Sequence, residues 1–342
     1  MKILCIGDAH FKDSLSYADY ISDRRVSEKK EILDFIIKQS KDCQHIVFLG
    51  DNFNSKNNSS ETNREFVEFL ERFENKELYI ISGNHCKKGD GKTAIDFLAE
   101  VKKPNWHIFT KPGSVSIEGA RTFKFDFLPY MLNSELGVEN YEMATKKVVK
   151  ELDGGDILFA HHTISGSTWN GFKADELTTE IVLPREKLEK KYKLIVAGHI
   201  HAPQSMGNTL VTGSLFTSEV GELEKFIYKI DEELKIVKFK VPAREIHKLD
   251  NPTEKQLAKI PGNSIVKVTL TDKKIDVEEM EKILSKFDAH LLIEDYPNER
   301  KKMKIEEGAF DFSIEALLKL YSEEKKVELS KLLNGLKIIS NG

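Results

Sequence analysis

Cysteine is scarce in this chain: its 342 residues hold three, Cys5, Cys43 and Cys86, an odd number set far apart with no CxxC pair. That pattern belongs to a reducing compartment and not to a disulfide framework. Cys5 falls inside the first strand-like run and Cys43 just before the second, so both read as packing residues. Long apolar runs are missing as well. None approaches membrane-spanning length, and MKILCIGD reaches Gly7 and Asp8 before a signal-peptide core develops. A soluble, cytoplasmic protein without a membrane partner is the expectation. Neither sign of charge prevails: 52 Lys and Arg against 56 Asp and Glu leave a net −4. This excludes coating nucleic acid by bulk charge, while a local basic groove stays open because net charge does not report its own distribution. Internal repeats and low-complexity tracts are absent too. At this length, one large domain with a smaller appendage is the natural organisation.

What the chain does have is a set of short apolar runs, each ending in a small residue and followed at once by a polar one. KILCIG precedes Asp8, HIVFLG precedes Asp51, LYIISG precedes Asn84, ILFA precedes His161 and LIVAG precedes His199. Runs of this length, rich in Ile, Val and Leu, read as buried strands. Side chains at the carboxyl ends of such strands converge on one edge of a sheet, where open α/β folds place their sites. Asp8 and His10 lie two apart, as do His199 and His201, so on an extended chain each pair reaches one ion from the same side.

Helical patterns alternate with these runs over Asp23–Lys41, Glu61–Phe73 and Thr93–Val101, which predicts an α/β core with parallel strands. From His107 to Pro129 the alternation changes to that of antiparallel hairpins. A helix over Asn140–Leu152 follows, and FIYKIDEELKIVKFKV reads as a hairpin turning at Glu232 and Glu233. Two sheets packed face to face with helices outside are expected. A boundary is placed at Asp250-Asn251-Pro252, giving a domain over 1–250, a small α+β domain over 251–298, and a linker with an amphipathic helical tail over 299–342.

Asp51 has two carboxylate oxygens and can bridge two ions; Asn84 offers a carbonyl oxygen; His10, His161, His199 and His201 offer imidazoles. Such mixed ligation suits Mn, Fe or Zn better than Ca or Mg. Two ions roughly 3.5–4 Å apart can activate water and clamp a phosphate for in-line displacement. His85, beside Asn84, is then free to protonate the leaving oxygen or to stabilise the phosphate charge. His45, His107, His247 and His290 lack such context and read as structural or surface residues, and His162 as pointing away from its neighbour.

The series GDAH, GDNFN, GNH, AHH and GHIH closely resembles the calcineurin-like metallophosphoesterase family, over residues 1 to about 220. The resemblance implies a four-layered αββα sandwich. It implies a first metal on Asp8, His10, Asp51 and His201, a second on Asp51, Asn84, His161 and His199, and His85 acting on the substrate. GSLFTSEVGE, from Gly213 to Glu222, is similar to the segment that follows GHxH in DNA double-strand-break nucleases. The order of domains resembles nuclease subunits of the SbcCD type, particularly the compact phage-encoded ones. That implies a cytoplasmic Mn-dependent DNA exo- and endonuclease of a bacterial or phage-infected cell, with Mg as the alternative metal. The implied partners are DNA, as duplex ends and single-stranded regions, a second copy of the chain, and an SMC-like coiled-coil ATPase. A DNA-capping role for the small domain and ATPase docking by the tail, with Leu317 and Leu332 as anchors, come with it. Two positions depart from the family: Cys86 stands where an acidic residue follows GNH, and Asn54 where Asp or His supports the catalytic histidine. Asn54 is expected to hydrogen-bond His85 through its side chain, without adding charge. The competing readings are a stand-alone phosphatase or cyclic-nucleotide phosphodiesterase and, from a different class, a non-catalytic scaffold.

Overall fold

The computed structural model describes residues 1–293, apart from 13–20, 89–90, 120, 170–171, 175–176, 178, 219, 223 and 272–274. The first part is a strand–helix alternation: β1 (Lys2–Ile6), α1 (Ser22–Ser40), β2 (His45–Phe48), α2 (Ser60–Glu71), β3 (Glu77–Ile81), α3 (Phe97–Glu100) and β4 (Trp106–Phe109). A hairpin follows, β5 (Gly113–Glu118) and β6 (Thr122–Leu128), then α4 (Tyr141–Glu151) and β7 (Gly155–Ala160). Short two-residue strands, β8 (Thr163–Ile164), β9 (Thr168–Trp169), β10 (Phe172–Lys173) and β11 (Val182–Leu183), lead through α5 (Arg185–Glu189) to β12 (Tyr192–Ala197). After β13 (Gln204–Met206) and β14 (Thr209–Val211), the hairpin β15 (Phe226–Asp231) and β16 (Ile236–Lys240) returns to the first sheet. The last described elements are β17 (Ile246–Asp250), α6 (Glu254–Leu257), β18 (Ile265–Leu270), α7 (Val277–Leu284) and β19 (Asp288–Ile293).

Two six-stranded sheets result, ordered β16-β15-β1-β2-β3-β4 and β13-β14-β12-β7-β6-β5. Strands β1 to β4 are mutually parallel, as are β6, β7, β12 and β14. The period-two alternation of a strand decides which layer each side chain enters. Ile3, Cys5, Val47, Leu49, Tyr79 and Ile81 face inward and meet Phe123, Phe125, Phe127, Phe159 and Val196 of the other sheet. Their neighbours Leu4, Ile6, Ile46, Phe48, Leu78 and Ile80 face outward and are covered by Ile32, Leu33 and Ile36 of α1 and by Phe66, Phe69 and Leu70 of α2. On the far side, Leu158, Ala160, Ile195 and Ala197 are covered by Ala144 and Val148 of α4 and Leu188 of α5. This is the four-layered αββα sandwich. Both faces of each central strand are buried, which is why the runs are apolar at every position.

The helices start where polar caps permit. Ser59 accepts the amide of Thr62 at the head of α2, and Asn140 accepts that of Met143 at the head of α4. The third helix is shorter than its pattern suggests. Thr93 bridges back to Lys87, and Asp96 accepts both the amide and the hydroxyl of Thr93, so the chain turns before α3 begins.

The small three-stranded sheet is all parallel, in the order β17-β18-β19. Its first strand corrects the boundary placed at Asp250. β17 precedes that point, yet it pairs with β18 from Ile246↔Ile265 to Asp250↔Thr269 and buries Ile246. The segment expected to form a helical tail, with Leu317 and Leu332, lies outside the described residues. No helix among the described residues is long and apolar enough to cross a membrane.

Candidate metal centre

Parallel pairing puts the carboxyl ends of β1, β2 and β3 side by side in one sheet and those of β7 and β12 side by side in the other. Asp8 and His10 follow β1, Asp51 follows β2, Asn84 and His85 follow β3, His161 follows β7, and His199 and His201 follow β12. The structure gathers all eight at one edge of the sandwich. Donor atoms of Asp8, His10 and His201 lie within 4.8 Å of one another, as do those of Asp51, His161 and His199 and those of His10, Asp51 and His85. Asn84 Oδ1 lies 3.0 Å from His161 Nε2 and 2.9 Å from His199 Nδ1. Asp51 and His10 thus stand between the two outer groups, with Asp51 positioned to serve both.

Local backbone geometry makes this convergence possible. His10, Asp51 and His199 adopt positive φ, at 44°, 37° and 85°. Non-glycine residues rarely enter this region, and such strain collects at functional sites where the surroundings impose it. The simple picture of Asp8 and His10 alternating along an extended strand is therefore corrected, because the chain turns at His10 itself. Close approach explains two of the glycines. A Cβ on Gly83 would fall 2.1 Å from Asp51 Oδ1, and one on Gly50, at φ +98°, would fall 2.1 Å from His161 Nδ1.

The outer nitrogens of three imidazoles are held, which fixes where the inner ones point. His161 Nδ1 donates to the carbonyl of Leu49 at 2.6 Å, leaving Nε2 toward Asn84. His199 Nε2 donates to Glu180 at 2.9 Å, leaving Nδ1 toward Asn84. His201 Nδ1 donates to Glu222 at 3.1 Å, leaving Nε2 at 2.9 Å from His10 Nε2. Glu222 is itself fixed by the amide of Ser218 at 2.7 Å and by buried Lys225, whose ammonium also donates to Ser214 Oγ at 2.6 Å. Thr163 donates to the other oxygen of Glu180. Asp8 accepts the amide of His199 on both oxygens at 3.0 Å, and Asp51 accepts that of His85 at 2.9 Å.

With these tautomers, two imidazole lone pairs, those of His161 Nε2 and His199 Nδ1, face the amide oxygen Asn84 Oδ1. Such an arrangement is repulsive unless positive charge sits within it, so the residues present fit metal ions. The field agrees. Burial opposes protonation of His161, yet the Asp51 and Asp8 carboxylates raise its pKa to about 9. At His10 burial wins over the same carboxylates and lowers the pKa to about 4. Burial would raise Asp51, but His161 and His10 hold it below the usual carboxylate range. At Glu222 burial is outweighed by the hydrogen bond from His201, bringing the carboxyl down to about 2.

His85 sits at the rim, with 45% of its side chain exposed and Nε2 4.0 Å from Asp51 Oδ2. Its Nδ1 lies 3.1 Å from the main-chain carbonyl of Asn54. The expected side-chain support by Asn54 is thereby corrected, since a backbone acceptor does that work and the residue type matters little. Cys86 is fully buried, and burial pushes its thiol up to about 12, so it packs as a neutral group. His162 turns away, toward Pro129 O at 3.1 Å, and stacks on Tyr130. His45, His107 and His247 lie elsewhere, against Tyr79, Glu77 and Glu245. Glu180 and Glu222 escaped the sequence reading. Glu180 carries no motif signal, and Glu222 closes the GSLFTSEVGE segment but had no role inferred from spacing.

Comparison with known proteins follows the same lines. The family model described as calcineurin-like phosphoesterase matches residues 1–203. No curated protein sequence matches the chain. Among solved structures, the chain is similar to a dimetal phosphatase from Danio rerio, with 12% identity, a TM-score of 0.41, and coverage of 70% of this chain and 99% of that one.

Proposed function

We propose, from the premise that this chain belongs to the calcineurin-like phosphoesterase family and so hydrolyses phosphoesters with the help of metal, that it is a Mn-dependent DNA nuclease working with an SMC-like coiled-coil ATPase. The observation that carries the chemistry is the row of three donor groups, Asp8–His10–His201, His10–Asp51–His85 and Asp51–His161–His199, in which His10 and Asp51 link the outer two. Asp8, His10, Asp51 and His201 would hold one ion, and Asp51, Asn84, His161 and His199 the other. When bound, the ions supply Lewis acidity toward a phosphate and lower the pKa of water.

The chain's own groups do the rest. Leu49 O, Glu180 and Glu222 keep three imidazoles in the tautomer that presents a lone pair to the centre. The Asn54 carbonyl accepts the Nδ1 proton of His85, so that Nε2 faces the reacting phosphate and can deliver a proton to the leaving oxygen. His85 does this from an open rim and not from a closed pocket. An open rim suits a long polymeric diester, which must extend beyond the centre on both sides. The chain beyond residue 203 also supports a macromolecular substrate. It builds the small sheet β17-β18-β19, which a minimal phosphatase does not need.

The test is hydrolysis by the purified full-length chain with Mn, comparing linear duplex DNA, single-stranded oligonucleotides and 4-nitrophenyl phosphate. Cleavage of DNA with little action on the monoester is expected. Efficient monoester hydrolysis without DNA cleavage would assign the stand-alone phosphatase reading instead.

A further inference from the structure

Near its start, α1 turns a cation and not the neighbouring valine toward the interior. Val26 is 46% exposed, while Arg25 is fully buried. Taking a guanidinium out of water is costly unless it is paired and its N–H groups are bonded. Arg25 Nη1 donates to Glu28 Oε2 at 2.5 Å, and Nη2 donates to the main-chain carbonyl of Thr217 at 2.6 Å. Glu28 gives its other oxygen to the amide of Arg244 at 2.8 Å, so the guanidinium is seated from outside the ligand loops.

The contact with Thr217 leads to the metal centre. The carbonyl of Thr217 and the amide of Ser218 belong to one planar, trans peptide unit, in which the two groups point to opposite edges. That amide donates to Glu222 Oε2 at 2.7 Å, and Glu222 Oε1 accepts from His201 Nδ1 at 3.1 Å. A continuous series therefore runs from Arg25 through this peptide and Glu222 to His201. Each bond in such a series polarises the next, and the first here is charge-assisted. Arg25 holds the peptide plane, the peptide aims the carboxylate, and the carboxylate fixes the imidazole whose Nε2 faces the centre. Lys225 also reaches Glu222, at 3.3 Å, but as a compact point charge it imposes little direction.

We propose that Arg25 is a positioning residue for the ion on the Asp8–His10–His201 side, acting through the Thr217–Ser218 peptide and Glu222. The proposal rests on the two-ion reading of the centre and not on the choice of substrate.

The test is titration of the metal-free full-length chain with Mn, followed by calorimetry, with urea unfolding as the check on the fold. Glu222→Gln identifies which of the two binding events belongs to His201. Arg25→Gln combined with Glu28→Gln leaves no unpaired buried charge. It should weaken that same event about tenfold, as loss of a group behind a metal ligand does, and leave the other event unchanged. Added to Glu222→Gln, it should cost less than about twofold more, because both changes break one series. Arg25→Lys keeps the charge without the planar fork; it should weaken the same event by less, and it decides the matter if the first variant does not fold. Unchanged affinity in the Arg25 variants, or equal weakening of both events, overturns the proposal and leaves the two-ion reading standing. So does a loss that multiplies with that of Glu222→Gln, which makes the two residues independent, or a Glu222→Gln chain in which neither event moves. A wild-type chain that binds fewer than two Mn ions overturns the two-ion reading, and the proposal with it.

Discussion

The imidazoles of the centre differ in what holds them, and that difference is testable residue by residue. His201 depends on Glu222, itself pinned by Ser218 and Lys225. Glu222→Gln should lower affinity for an ion on the Asp8–His10–His201 side by about 10–100-fold, the usual effect of losing a carboxylate behind a ligating histidine. Metal titration followed by calorimetry measures it, and unchanged affinity would reject the role. Asn54→Ala should do nothing comparable, because the backbone carbonyl that meets His85 remains. His85→Gln should keep its metal yet lose roughly 10²–10⁴-fold in turnover if His85 is the proton donor. Loss of an ion in that variant would make His85 a ligand, an outcome its closeness to His10 and Asp51 makes worth measuring. The ligand candidates were legible because each is welded to a strand end by a short motif. Glu180 and Glu222 were not, since they lie 19 and 21 positions along the chain from the histidines they hold. The positive φ angles of His10, Asp51 and His199 were also invisible, because no glycine marks them.

Among the elements, α2 matters most to the site. Its Phe66 is fully buried, with ring centroids 5.0 Å from Phe11, 4.9 Å from Phe53 and 6.0 Å from Phe48. Phe11 follows His10, and Phe53 lies two residues beyond Asp51, so this cluster backs both ligand loops. Phe66→Ala should destabilise the fold by about 3–5 kcal/mol, the range for deleting a buried phenyl group. Urea unfolding would measure the loss, and a change below about 1 kcal/mol would mean the cluster collapses around the cavity. The sequence disclosed α1, α2 and α4 through their apolar spacing, and the strands through uninterrupted apolar runs. It misjudged α3, where the pairing of Asp96 with Thr93 competes with helix formation. It also misplaced β17, since IHKLD resembles the exposed strand before it and only its partner β18 shows where it belongs.

For the whole molecule, the αββα sandwich explains how ligands separated by two hundred residues meet. Two mixed sheets packed face to face, each with a parallel centre, bring five strand ends to one edge. The dense row of Phe, Leu and Ile over 310–339 has the composition of a partner-binding helix face. If this segment docks the proposed SMC-like ATPase, the full-length chain should co-purify with it, and truncation after Asn298 should leave a folded, metal-binding hydrolase that does not. Retained binding, or aggregation of the shortened chain, would instead make the tail part of the protein's own core. Behind all of these stands the claim that Asp51 serves two ions at once. Elemental analysis of the full-length chain after Mn loading and desalting tests it directly, by comparing wild type with Asp51→Asn. The account requires about two ions per wild-type chain and loss of both in the variant, together with its phosphodiester hydrolysis. A wild type that holds one ion, or an Asp51→Asn chain that keeps two and still turns over, would contradict it.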